Sequence, residues 1–213
     1  LAMRINDADA KILITADVGY RRGKTIPLRE IAKEAVSQTP SIERVVVLRR
    51  EEPAVEIDPA LEVDYASLTA KAAPDCPAEV MDAEDPLFIL YTSGSTGAPK
   101  GIVHTCGGYA VGTYYTTKCV FDVREDDVYW CTADPGWITG HSYVVYGPLA
   151  VGTTVVITEG TPDYPGPGAY WRLVEDLGVT IFYTAPTAIR MFMRYGDEWP
   201  AKYDLSTLRV LGS

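Results

Sequence analysis

The sequence has little histidine, and its cysteines are not spaced for a metal. It holds only His104 and His141, and Cys76, Cys106, Cys119 and Cys131 form no C-x-x-C pair. A zinc site is not expected, no resident metal is assigned, and the thiols read as a reduced cytoplasmic set. Positive charge is in the minority: 19 Lys and Arg against 29 Asp and Glu give a net charge of −10. This excludes nonspecific nucleic-acid binding and a polybasic membrane anchor. It leaves room for a local phosphate site, because a few oriented N–H groups and one lysine act at short range. There is no signal-peptide pattern and no apolar run of ~18 residues, so a soluble, cytoplasmic protein with no membrane partner is expected. Internal repeats and low-complexity tracts are also lacking.

What is present is the run Thr92-Ser93-Gly94-Ser95-Thr96-Gly97-Ala98-Pro99-Lys100-Gly101, directly after the apolar stretch Leu87-Phe88-Ile89-Leu90-Tyr91. Its glycines permit close approach and positive φ, its N–H groups and hydroxyls donate hydrogen bonds, and Lys100 adds a full charge. Such a loop suits the triphosphate of a nucleotide. It is not a Walker A loop, which needs Gly, four residues, then Gly-Lys-Ser/Thr. Gly94 and Gly97 are too close, Pro99 precedes the lysine and Gly101 follows it. The competing reading is a Ser/Gly-rich linker. Against it stand a buried-strand pattern on one side and Ile102-Val103 on the other.

Apolar patterning alternates between strand and helix. Lys11–Thr15, Val45–Leu48, Asp127–Cys131, Thr153–Thr158, Val179–Tyr183 and Leu208–Leu211 read as strands. Val45–Leu48 is so continuous that both its faces should be covered. Helices are expected over Pro27–Thr39, Cys106–Lys118, Thr139–Leu149, Ala169–Leu177 and Pro186–Tyr195. In the first of these, Pro27 lies near the start and apolar Ile31, Ala32, Ala35 and Val36 recur at helical spacing. Glu51–Pro86 reads as a connector with one helix near Asp64–Lys71. Thr161–Gly168, with three prolines and two glycines, must be a loop. The alternation predicts an α/β fold with mainly parallel sheets flanked by helices.

Two further segments could carry chemistry. Trp137-Ile138-Thr139 could make a small apolar cup with a polar rim. Equally, Trp137 and Ile138 could be core residues with Thr139 capping the next helix. Gly19-Tyr20-Arg21-Arg22-Gly23-Lys24 is a turn with three cations that suits a phosphate, or else a solvated basic turn. His104 and His141 read as core or hydrogen-bonding residues, and Cys106 and Cys131 as small apolar fillers.

The loop with its flanks, Tyr-Thr-Ser-Gly-Ser-Thr-Gly-x-Pro-Lys-Gly, resembles the phosphate loop of the adenylate-forming enzymes. Val128–Asp134, Gly136–Tyr143, Tyr183–Arg190 and Asp204–Ser213 are similar to the acetyl-CoA synthetase branch. The likeness covers nearly the whole chain. It implies part of the large N-terminal, AMP-binding domain over residues 1–213, without the C-terminal lid domain. The implied activity is AMP-forming ligation of acetate, or of propionate or another short acyl group, to coenzyme A. ATP, Mg2+ and coenzyme A would be required, and acetate, ATP and coenzyme A would be the partners. By resemblance, Thr92, Ser93, Gly94, Ser95, Thr96, Gly97 and Lys100 hold the ATP phosphates, with Lys100 and Thr96 serving catalysis. Trp137, Ile138 and Thr139 line the acyl pocket. Arg21 and Lys24 meet the 3′-phosphate ADP part of coenzyme A, and Arg22 is left out. The family's acyl-pocket wall, adenine loop and adenylation lysine are expected beyond Ser213. The chain alone is then expected to be an inactive or merely phosphate-binding piece.

Overall fold

A computed structural model of the chain describes residues 1–52, 54–92 and 99–213. The chain divides into two compact units, Leu1–Val80 with Tyr91–Lys100, and Met81–Leu90 with Gly101–Ser213.

The first unit begins with α1 (Ala2–Asp7), a helix the apolar pattern does not announce. Then come β1 (Ile12–Ala16), β2 (Gly19–Arg21), β3 (Lys24–Ile26), α2 (Leu28–Val36), β4 (Arg44–Leu48), β5 (Glu62–Asp64) and α3 (Tyr65–Thr69). β1, β4 and β5 form a parallel sheet in that spatial order, with Leu13 opposite Val45 and Val47 opposite Asp64. Val45, Val46 and Val47 are all buried, as the continuous apolar run predicts, whereas Leu48 is exposed. Ile5, Ala35, Ile42, Val45 and Val47 make the core. α2 turns Ala32 and Ala35 inward but leaves Ile31 47% exposed. Arg29 takes the inward position instead and donates from Nε to Glu62 Oε1 at 2.8 Å. Burying that guanidinium is tolerable because a carboxylate meets it.

The unit division runs through β6 (Pro86–Thr92) and β7 (Lys100–Thr105), which pair as a two-stranded sheet. The strand before the glycine-rich loop is not the buried strand its composition suggests. Ile89, Ile102 and Val103 are exposed, because a two-stranded ladder has no third strand beside it to complete a covered sheet.

The second unit continues with α4 (Cys106–Val120), β8 (Val128–Cys131) and α5 (Ile138–Gly140). A π-helical turn over His141–Tyr146 leads straight into α6 (Gly147–Val151). β9 (Thr154–Val156), α7 (Ala169–Leu177), β10 (Ile181–Tyr183), α8 (Pro186–Tyr195) and β11 (Val210–Gly212) follow. The sheet is all parallel in the order β11-β10-β8-β9. Alternation along its strands feeds two cores. Trp130 and Phe182 face one way and pack with Trp171, Val174 and Phe192 from α7 and α8. Tyr129, Cys131 and Ile181 face the other way and pack with Phe121 and Val144. A parallel sheet covered on both faces is what connecting helices produce, and the α/β expectation holds.

Candidate functional site

The route of the chain through the second sheet locates a topological switch point. From β8 it moves to β9 on one side, then returns to place β10 on the other side of β8. Strand order therefore reverses between β8 and β10, and in open α/β sheets ligands bind outside the carboxyl ends at such a point. Thr132 and Thr184 lie there, one residue past each strand, with their hydroxyl oxygens 2.6 Å apart. The Thr132 N–H also donates to the Tyr183 carbonyl at 3.0 Å, so the two strand ends are tied together. Neither threonine stands out in the sequence, since short hydroxyl residues after strands are common.

Trp137 ends the loop that leaves β8, and Ile138 and Thr139 begin α5. Asp134 organises the approach: its Oδ1 accepts from the Gly136 N–H at 2.7 Å and its carbonyl from the Trp137 N–H at 3.0 Å. Any Cβ on Gly140 would collide with the Asp134 carbonyl, so the end of α5 lies directly on this turn. Trp137 is 66% exposed and Ile138 40%, so neither is buried in the core of this chain. Thr139 does not cap the helix either, because Ile138 is already helical and Trp137 occupies the cap position.

Behind this loop, His104 and His141 pack on Phe88 with ring centroids 4.9 Å apart in each case. His141 Nδ1 lies 3.1 Å from the Trp137 carbonyl. Both histidines thus have the packing and hydrogen-bonding roles their sequence context suggests. Tyr109 closes the cluster, 2.7 Å from the Ser142 hydroxyl, and burial raises its phenol pKa above the ordinary value. Cys131 is a core filler as expected, its thiol pushed up to about 11 by burial. Cys106, only partly buried, opens α4.

Of the residues expected to hold phosphate, Thr92 ends β6 and Lys100 begins β7, both exposed. The two strands they belong to pair with each other. Ser93, Gly94, Ser95, Thr96 and Gly97 lie outside the described residues.

In the first unit the basic turn is a tight hairpin. β2 and β3 are antiparallel, with Tyr20 opposite Thr25 and Arg21 opposite Lys24. Arg22 and Gly23 form the two-residue turn with φ of 51° and 72°, the positive values that such hairpins require. Arg21 and Lys24 therefore share one face, and Tyr20 and Thr25 the other. Against the second face lies the loop after β4. The Arg50 guanidinium sits 4.8 Å from the Tyr20 ring centroid, and the Tyr20 hydroxyl donates to Glu51 Oε1 at 3.2 Å. The Tyr20 pKa is raised, first by lost solvation and then by the Glu51 carboxylate. Behind both, Asp17 is 3% exposed and receives backbone N–H bonds from Val18, Arg50 and Glu51. Burial alone would raise its pKa, but these donors hold it below the ordinary carboxylate value. Sequence reading did not single out Asp17, Arg50 or Glu51, because nothing local marks which carboxylate folds back onto a distant loop.

Among the described residues no cluster of His, Cys, Asp and Glu is arranged to hold a metal, and no helix is long and apolar enough to cross a membrane. Comparison with known proteins bears on the reading of these segments. The chain is 54% identical over 213 residues to an acetyl-coenzyme A synthetase of Methanothrix thermoacetophila, covering 100% of this chain and 32% of the relative. To proteins of the same name from Rubrobacter xylanophilus and Streptomyces avermitilis it is 58% identical over 210 residues and 57% over 214. Those matches cover 99% and 100% of this chain and 33% of each relative. The chain thus spans about a third of the length of the curated relatives it matches. The model of the AMP-binding enzyme family matches residues 1–213, the whole sequence. With parallel α/β sheets and a family model matching its whole length, the chain belongs to the AMP-binding enzyme family.

Proposed function

We propose that the protein carrying this chain is an AMP-forming acetate–CoA ligase, and that residues 1–213 are part of its large N-terminal domain. The reaction joins ATP, acetate and coenzyme A to give acetyl-CoA, AMP and diphosphate. The observation that carries this reading is 54–58% identity, over essentially the whole chain, to three proteins named acetyl-coenzyme A synthetase. Four unpaired cysteines accord with a cytoplasmic setting.

The carboxylate of acetate attacks the α-phosphorus of ATP, releasing diphosphate and leaving acetyl-adenylate. The thiol of coenzyme A then attacks the acyl carbon, and AMP departs. Acetate is already ionised at neutral pH, so the first step needs no general base from His104 or His141. Positioning and charge neutralisation dominate such transfers. Thr92, Ser93, Ser95 and Thr96 donate hydroxyls to the β- and γ-phosphates of Mg-ATP, with the N–H groups of Gly94 and Gly97. Lys100 neutralises the charge that develops on them. Trp137, Ile138 and Thr139 line the acyl pocket, where the exposed indole and isoleucine offer apolar surface at the carboxyl end of a parallel sheet. Arg21 and Lys24, paired on one hairpin face, take the 3′-phosphate of coenzyme A.

Acetate-dependent ATP–diphosphate exchange by the full-length protein tests this. Lys100→Ala should cost ~2.7–4 kcal/mol of transition-state stabilisation, about 10²–10³-fold in rate, because one charged contact is lost. Unchanged exchange would remove Lys100 from the site. A higher kcat/KM for propionate than for acetate would overturn the choice of acid, since one methylene in such a pocket is worth ~1–3 kcal/mol.

A further inference from the structure

The cations of the hairpin stand on a strand pair that could not hold them in place alone. A two-stranded hairpin is marginal in water, so its orientation comes from what its other face rests on. Here that face, Tyr20 with Thr25, rests on Arg50 and Glu51 of the loop after β4. The Thr25 hydroxyl adds a long contact to Glu51 Oε1 at 3.5 Å.

The loop in turn is held by one buried side chain. Asp17 Oδ1 accepts from the Val18 N–H at 2.7 Å and the Arg50 N–H at 2.9 Å. Its Oδ2 accepts from Arg50 at 3.0 Å and Glu51 at 3.3 Å. Its own N–H reaches the Leu48 carbonyl at 3.0 Å, and its carbonyl accepts from Arg29 at 3.1 Å. One residue thus ties together the ends of β1 and β4 and the start of α2. A buried carboxylate with only backbone donors is costly unless all are in place, so it fixes the loop in one arrangement.

We propose that Asp17 is a positioning residue for the hairpin: it sets the loop at Arg50 and Glu51, and that loop orients Arg21 and Lys24 toward a phosphate. This rests on the reading of Arg21 and Lys24 as the site for the 3′-phosphate of coenzyme A.

The test compares coenzyme A with dephospho-coenzyme A, which lacks only that phosphate, as substrates of the full-length protein. Asp17→Asn and Glu51→Ala should each raise KM for coenzyme A about tenfold, the scale of one weakened charged contact. KM for dephospho-coenzyme A, kcat and acetate-dependent ATP–diphosphate exchange should stay as in the wild type. Glu51 is exposed, so its truncation reads the same linkage without removing a buried group. An equal rise in KM for both thiols, or a loss of exchange, overturns the proposal in favour of a general structural role. If the wild type does not distinguish the two thiols, the phosphate reading fails and the proposal with it. If Arg21→Ala abolishes the distinction while Asp17→Asn and Glu51→Ala keep it, only the positioning role fails.

Discussion

Asp64 shows how much one side chain can organise. It caps α3, accepting from the Ser67 N–H at 2.8 Å and the Ser67 hydroxyl at 2.6 Å, and it pairs with Arg49 Nε at 2.8 Å. The Ser67 hydroxyl first, then Arg49, lower its pKa from an ordinary 3.8 to about 2. Because the folded value is depressed, the stabilisation is complete above the ordinary value and is lost as pH falls through the folded one. The window lies between about pH 4 and pH 2. Asp64→Asn retains a capping side chain but cannot titrate. The stability difference between wild type and Asp64→Asn, read from urea unfolding, should shrink as pH falls through that window. A difference independent of pH would show that ionisation of Asp64 does not matter. At this scale the sequence was only partly legible. The pairing of Arg21 with Lys24 follows from their spacing across a turn. Asp17 and Asp64 do not, since their partners lie 33 and 15 residues away at Arg50 and Arg49. Nor does the inward turn of Arg29, which depends on Glu62 33 residues away to meet it.

Elements succeed or fail by their boundaries and by what they touch. Two glycines in unit two give opposite expectations. Gly147 opens α6 where it meets α4: an added Cβ would collide with the Thr117 hydroxyl and come within 2.7 Å of the Ser142 carbonyl. Thr117 is fully buried, and its hydroxyl has no hydrogen-bond partner, so no slack exists there. Gly147→Ala should destabilise by about 1–3 kcal/mol through overpacking. Gly112, inside α4, has nothing within 4 Å of the added carbon. Gly112→Ala should stabilise by about 0.5–1 kcal/mol by lowering the entropy of the unfolded chain. Thermal unfolding of both variants checks the pair, and shifts of the same sign would contradict the packing described. α7 and α8 could be read from the sequence to the residue, because a glycine bounds each C-terminus and Pro186 starts α8. β5 was missed because it is three residues long with acids at both ends, buried only through Arg29 and Arg49. The π-helical turn was legible only as helix, since its wider hydrogen-bond spacing leaves no compositional mark.

At the scale of the molecule the question is whether this much of the family suffices for its chemistry. The chain carries the flanks of the phosphate loop, the Trp137 segment and the basic hairpin, within about a third of its relatives' length. Nucleotidyl transfer lacks a single decisive group; it sums several charge contacts, and each lost contact costs ~2.7–4 kcal/mol. If, as the resemblance implies, the adenylation lysine, the adenine-holding loop and the pocket wall belong to the two thirds of the relatives' length that this chain does not span, the chain works without them. Losing two such contacts would cost roughly 5–8 kcal/mol, a factor of about 10⁴–10⁶ in rate. Phosphate affinity demands less, because under the proposed function it needs only a few N–H donors and one lysine acting at short range. The isolated chain should therefore give no acetate-dependent ATP–diphosphate exchange above a protein-free blank. The full-length protein, assayed at the same molar concentration, should exchange readily. Comparable exchange from both would mean that the groups needed for adenylation already lie between Leu1 and Ser213. The division of labour across the rest of the protein would then be wrong.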